Sequence, residues 1–220
     1  VSVKSTDGKN TYRNIPFNSQ SGDEAWRAKT IKGKTYIFNS NGEMEDGLVI
    51  LGNDGNGTTG KTNVYDANGD ATFDNKGGAV SKAMADGVYY FNEGNGSVNG
   101  QMVTGKTTVT KDGEDYYYYF DKTTGRAVTD IVKDGVVYGH DGERIDAEDG
   151  NTNAIVTLDH DTYYNKKVNG TTCEYIKAGS RVIVSSTGKL RTSGTVKVDG
   201  VKCQVNASAD GNWTVAEDVE

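Results

Sequence analysis

The chain has 220 residues, a net charge of −7, 34% hydrophobic residues, 29 glycines and one proline. An acidic balance disfavours nucleic acid and anionic membrane surfaces, which both need clustered Lys and Arg, and no apolar run approaches the roughly 18 residues of a membrane span. Low hydrophobicity alone would suggest disorder, but 13 tyrosines in clusters argue for an ordered chain of small units that each bury little.

The opening, "VSVKSTDG", has no start methionine and no signal peptide, and reads as a processed or trimmed piece. Along the chain a bulky anchor is followed by a polar turn residue and then a glycine. In order the anchors are Phe17, Phe38, Tyr65, Phe91, Phe120, Tyr138, Tyr164, Val184 and Val205, separated by 18 to 29 residues. Such a period signals a repeat architecture. "GKTYIFNSNGEMEDG" (Gly33 to Gly47) and "GVYYFNEGNGSVNGQ" (Gly87 to Gln101) show it best.

Each repeat predicts a β-hairpin. The runs "KTYIF", "GVYYF", "YYYYF", "GVVY", "DTYY", "RVIV" and "KCQV" are rich in strand formers. An Asx residue opens the turn and glycine supplies a positive φ. A short second strand follows, with Met44, Ala71, Val98, Ala127, Leu190 or Trp213 two residues past the glycine. One hairpin is marginal alone, so the motif must recur to bury its apolar face. The expectation is an all-β array of short hairpins stacked as a β-solenoid, aromatic-rich over 1–150 and continuing as degenerate hairpins over 151–220.

The quoted repeats, "GKTYIFNSNGEMEDGL" and "DGVYYFNEGNGSVNGQM", resemble bacterial cell-wall-binding repeats. That group includes choline-binding modules of pneumococcal surface proteins, glucan-binding repeats of streptococcal glucosyltransferases, and receptor-binding repeats of large clostridial toxins. The resemblance covers about Trp26 to Gly150 and fades beyond Asn151. It implies a non-enzymatic module on the bacterial cell surface or outside the cell, attaching to a cell-wall polymer or extracellular glycan held between hairpins against aromatic faces. Choline-binding members carry a tryptophan after the closing glycine. Here those positions hold Leu48, Gln101, Ile131 and Thr195, and Trp26 alone falls near one. Without an aromatic box, choline is disfavoured. A structural or adhesive stalk is the alternative.

Period two divides the residues of each strand between two faces. Tyr36 with Phe38, Tyr89 with Phe91, Tyr118 with Phe120, Val136 with Tyr138, and Val182 with Val184 form the expected core face. Ile37, Val64, Tyr90, Tyr119, Val137, Tyr163, Ile183 and Gln204 point the other way, and Tyr117 joins Tyr119 there. Outward rings stack on sugars or pack on the next hairpin. The candidate glycan-binding residues are therefore Tyr90, Tyr117, Tyr119, Tyr163 and Trp26.

No constellation of residues argues for catalysis, a cofactor or a metal. His140 in "YGHDGER" and His160 in "TLDHDTYY" both lie beside aspartates, an arrangement compatible with metal ligands; a turn explains His140 better. "DANGDA" lacks the glycine and distal Glu of a calcium loop. "LGNDGNGTTGKT" fits a phosphate-loop spacing without the flanking strand and helix, and reads as an insertion. Cys173 and Cys203 stand in adjacent units, as a bridge or as unpaired core residues, the latter being favoured.

Overall fold

The computed structural model describes residues 2–4, 10–12, 27–38, 43–51, 84, 87–94, 96–147 and 150–219. Phe17, Trp26, Tyr65 and Ala71, the "DANGDA" segment, and the "LGNDGNGTTGKT" segment beyond Leu51 lie outside the described residues. The described residues are strands and turns with no helix, as the repeat grammar predicts. The chain divides into two compact units, Val1–Thr107 with Phe120–Ala127, and Thr108–Tyr119 with Val128–Glu220.

In the first unit β1 (Ser2–Lys4) pairs with β2 (Asn10–Tyr12). β3 (Arg27–Ile31), β4 (Lys34–Phe38) and β5 (Met44–Glu45) form a three-stranded meander. β6 (Gly47–Leu51) pairs with β7 (Gly87–Phe91). β8 (Gly105–Lys111) and β9 (Glu114–Phe120) form the next hairpin, most of which, Thr108–Tyr119, belongs to the second unit. The second unit continues with β10 (Ile131–Lys133) and β11 (Val136–Tyr138). β12 (Asn153–Thr157) does not pair with its successor. The hairpin of β13 (Thr162–Val168) and β14 (Thr171–Ile176) intervenes, and β12 pairs with β15 (Arg181–Ser185), which carries β16 (Leu190–Arg191). β17 (Thr195–Val198), β18 (Val201–Asn206) and β19 (Thr214–Glu217) close the chain as a meander.

The anchors do what their spacing predicts. Each of six pairs antiparallel with a residue beyond its turn: Phe38 with Met44, Phe91 with Met102, Phe120 with Ala127, Tyr138 with Arg144, Val184 with Leu190, and Val205 with Val215. Two details differ from the expectation. The turn after Phe91 closes at Gly100 rather than Gly96, so Val98 is no strand residue but an exposed turn residue. Trp213 sits just ahead of β19, fully buried. Tyr164 is not an anchor. Asn165 follows it at φ 47 inside a bulge of β13, and the hairpin turns instead at Asn169–Gly170.

That turn belongs to a second, unexpected regularity. Lys32–Gly33, Asp112–Gly113, Asp134–Gly135, Asn169–Gly170 and Asp199–Gly200 each join two paired strands, and both residues of every pair have positive φ. This is the requirement of a two-residue I′ hairpin, in which Asp-Gly and Asn-Gly are the favoured pairs. The repeat is thus a meander of strand, tight turn, aromatic strand, Asx–Gly turn and short strand.

Successive repeats are joined by a recurring pair of backbone bonds. In the first unit Met102 donates its N–H to the Thr35 carbonyl, and Val103 donates to Tyr90; Ala127 then donates to Val88. In the second unit Arg144 donates to Tyr117, and Ile145 to Val137; Leu190 donates to Gly135. Each short strand therefore bonds to its own aromatic strand and to the one before. The glycines take part. A Cβ on Gly125 would lie 2.5 Å from the sulfur of Met102, and one on Gly100 would meet the sulfur of Met44. The closing glycine is needed for its turn and also for the side chain of the preceding repeat.

This bonding explains why the two-face expectation fails. Ile37, Val137 and Ile183 are fully buried, and Tyr90 and Tyr119 nearly so, although all were assigned to an outer face. β7 is buried along its whole length. Period-two exposure holds where one face of a sheet meets water, and here both faces are covered. Tyr163 and Gln204 are exposed as expected, while Val64 lies outside the described residues.

The cores are correspondingly small and several. Ala28, Ile37, Val49, Leu51, Tyr89 and Phe91 form one in the first unit. The larger one, in the second, gathers Val137, Ile176, Val182, Ile183, Val184, Trp213 and Val215 with Cys173 and Cys203. Both cysteines are free thiols in this core, and burial pushes both thiols up from their usual pKa.

Candidate functional site

A trench of about 800 Å³ lies in the second unit. Glu114, Asp115, Tyr116 and Tyr117 border it from β9, and Arg144, Asp146 and Ser186 from the facing segments. β9 is seven residues long, but only Tyr118, Tyr119 and Phe120 reach the core. Its first half extends beyond the packed region, which leaves Tyr116 and Tyr117 half-buried.

The recurring backbone bond from Arg144 N–H to the Tyr117 carbonyl, 2.8 Å, sets the two residues side by side. The guanidinium lies over the Tyr117 ring at 3.7 Å from its centroid, a cation–π contact. Its Nε donates to Asp146 Oδ2 at 2.6 Å, which fixes the fork. The Tyr116 hydroxyl donates to Glu114 Oε2 at 3.0 Å. That bond to a carboxylate raises the phenol above its ordinary pKa. Thr110 Oγ1 donates to Asp115 Oδ1 at 2.6 Å. Chemically this is a polar trench with one available aromatic face, several carboxylate acceptors and one oriented arginine. Such a set suits neutral polyhydroxylated ligands, whose ring faces stack on aromatics and whose hydroxyls bond to the polar groups.

Further along β9 the Tyr118 hydroxyl donates to Glu143 Oε1 at 2.7 Å. Burial pushes the Glu143 carboxyl above the usual range, only partly offset by that bond, and pushes the Tyr118 phenol up as well. A carboxyl raised on folding contributes stability that is fully present below its unfolded pKa and is lost as pH rises through its folded pKa. Glu143→Gln keeps an acceptor for Tyr118 and removes the charge. Its melting temperature is expected to match wild type near pH 4 and to equal or exceed it at pH 7. A variant that melts lower than wild type at pH 7 but not at pH 4 would reverse this sign.

The sequence-derived candidates fall in different places. Tyr117 lines the trench. Tyr90 stacks on Phe120 at 6.2 Å between centroids and donates its hydroxyl to Glu93 Oε2 at 2.9 Å. Burial and that carboxylate push its pKa up to about 12. Tyr119 meets Tyr138 edge-on at 6.3 Å, with the Lys133 ammonium 5.4 Å from its ring. Both rings are covered, at 9% and 8% exposure, which leaves little face for a sugar. Tyr163 is exposed and packs edge-on against exposed Tyr175 at 5.4 Å. Trp26 lies outside the described residues. Within the second unit, Tyr117, Tyr119 and Tyr163 therefore lie in three different environments.

Tyr116, Arg144 and Tyr175 were not anticipated. Tyr116 shares the core face of β9 by period, and only the reach of the packed region past Tyr117 distinguishes it. Arg144 was hidden in a turn string, although its offset from Tyr138 matches that of Met44 from Phe38.

No protein-family model matches the chain, and no curated protein sequence is significantly similar to it. Among solved structures it is similar to choline binding protein F from Streptococcus pneumoniae, at 17% identity over 94% of this chain and 83% of that one, with a TM-score of 0.27. It is similar to the modular autolysin LytC of Streptococcus pneumoniae at 14% identity, over 94% of this chain and 37% of that one, with a TM-score of 0.28. It is also similar to an alternansucrase in complex with isomaltononaose, at 17% identity over 95% of this chain and 13% of that one, with a TM-score of 0.23. The chain thus spans well under half the length of the alternansucrase and the autolysin. Both the identities and the TM-scores are low.

Proposed function

We propose that the chain is a non-enzymatic module of a bacterial protein on the cell surface or outside the cell, a β-solenoid of stacked hairpins that binds a cell-wall polymer or another extracellular glycan. The observation that carries this reading is the trench at the start of β9. It combines the half-buried rings of Tyr116 and Tyr117 with the carboxylates of Glu114, Asp115 and Asp146. The resemblance of the repeats to cell-wall-binding sequences supports it. The Arg144 guanidinium already occupies the face of Tyr117, which favours a hydroxylated ligand over a quaternary ammonium. Tyr163 with Tyr175 offers a second exposed aromatic pair. Tyr90 and Tyr119 serve in this reading as the packing that keeps consecutive hairpins in register.

Tyr116→Ala tests the reading. Its ring is not part of a hydrophobic core, so the variant is expected to melt within a few degrees of wild type. Stacking of one ring contributes on the order of 1 kcal/mol, so affinity for α-glucan oligosaccharides or peptidoglycan fragments should fall about 5- to 10-fold. Binding that is unaffected by Tyr116→Ala moves the site elsewhere. No binding to either polymer by the wild-type chain supports the stalk instead.

A further inference from the structure

We propose that Asp130, His140 and His160 form a binding site for a late first-row divalent cation, zinc(II) above all. The three side chains each offer one ligand atom, all within 4.8 Å of one another. They are far apart in sequence and come from separate turns: the residue before β10, the turn after β11, and the loop between β12 and β13. The chain has two histidines in all, and their rings lie parallel, 3.8 Å between centroids and 9° between planes. His140 Nδ1 is 2.5 Å from Asp130 Oδ2.

The backbone builds this meeting. Asp130 has a φ of 47°, the left-handed region that Asp tolerates better than most residues. Its N–H donates at 3.0 Å to the carbonyl of Gly139, the neighbour of His140. Its own carbonyl accepts at 2.8 Å from the N–H of Tyr163, three residues past His160. One residue thus clips both histidine-bearing segments in place. Two neighbouring carboxylates are engaged elsewhere. Asp141 accepts from the Glu143 N–H, and Asp161 accepts from the Ala178 N–H and the Lys177 ammonium.

The donor set decides the ion. Two imidazole nitrogens with one carboxylate oxygen suit zinc, copper or nickel, whereas calcium and magnesium take oxygen ligands. Zinc binds nitrogen and oxygen at about 2.0–2.2 Å, so two ligand atoms on one tetrahedral ion stand roughly 3.3 Å apart by that geometry. The Asp130–His140 separation has to open by somewhat under an ångström. Parallel rings aim their lone pairs side by side, so His160 must tilt out of the stack, which its exposed position permits. The proton shared between Asp130 and His140 leaves as the ion enters. Water or a ligand hydroxyl completes the coordination shell. Neither histidine lines the trench described above, and the site stands whether or not that trench binds glycan.

The test is a titration of the full chain with zinc chloride by calorimetry, repeated with cobalt(II) to read tetrahedral coordination from its visible absorption. One ion per chain is expected, with proton release, a rise in melting temperature, and no displacement by millimolar calcium. His160→Gln changes an exposed residue and should leave the far-ultraviolet spectrum and the metal-free melting temperature unchanged. It should weaken zinc binding about tenfold or more, in line with the loss of a metal-site residue. Asp130→Asn should weaken it likewise. Absence of saturable one-to-one binding to the wild-type chain overturns the proposal. So does zinc binding that His160→Gln leaves unchanged, or that calcium displaces.

Discussion

Trp213→Ala is expected to destabilise the protein by roughly 3–5 kcal/mol, the cost of emptying a buried aromatic site. The indole is the largest fully buried side chain among the described residues. Tyr164 meets it edge-on at 5.2 Å, and its Nε1 donates at 2.9 Å to the Ser208 carbonyl. The ring joins the core shared by β14, β15, β18 and β19, so its loss opens a cavity between strands from several hairpins at once. The Ser208 acceptor also loses its donor, which adds to the penalty. Chemical denaturation followed by far-ultraviolet circular dichroism checks this. A loss below about 1 kcal/mol, the range of surface substitutions and small repacking, would mean that the second unit does not share one core. Partial unfolding is a further expected sign, because array-like chains lose structure locally when neighbouring repeats remain supported.

Phe91→Ala carries the second large effect, again roughly 3–5 kcal/mol. Phe91 is fully buried with Tyr89, Ile37, Val49 and Leu51, and its backbone bridges Met102. The informative comparison is with Tyr90→Ala and Tyr163→Ala in the same background. If rings one residue before an anchor were solvent-facing, Tyr90→Ala would be nearly neutral. Its burial and its stacking on Phe120 instead predict a loss of about 3 kcal/mol, at the lower end for a buried aromatic. Tyr163→Ala, at an exposed edge-on pair, should stay within about 0.5 kcal/mol of wild type, as surface changes usually do. A neutral Tyr90→Ala would restore the two-faced strand. A severe Tyr163→Ala would show that the Tyr163–Tyr175 pair is structural.

The sequence by itself determined the local units. Aromatic and β-branched runs cannot sustain a helical stripe, and an Asx residue followed by glycine turns the chain back, so strands and hairpins follow from composition and spacing. Phe38, Phe91, Phe120, Tyr138, Val184 and Val205 were legible as anchors for this reason. Four of the five tight turns, such as Asp112–Gly113 and Asp199–Gly200, are Asp-Gly or Asn-Gly pairs, which favour the I′ conformation by themselves; Lys32–Gly33 is not such a pair. Asn165 misled for the same reason: an Asx residue after a tyrosine reads as a turn, and only the pairing of β13 with β14 makes it a bulge.

What surrounds a strand is not local, and there the tertiary structure decided. Whether Tyr90 or Tyr119 faces water depends on the next hairpin, which bonds to the previous aromatic strand through a single residue such as Met102 or Arg144. The same bond lays Arg144 over Tyr117 and so shapes the trench. The meeting of Asp130, His140 and His160 depends on a parallel bridge between Ile131 and Tyr163, a contact between distant strands that no spacing announces. Period, propensity and turn chemistry act over a few residues. Burial, ring stacking and ligand geometry depend on which distant segments the backbone hydrogen bonds bring side by side.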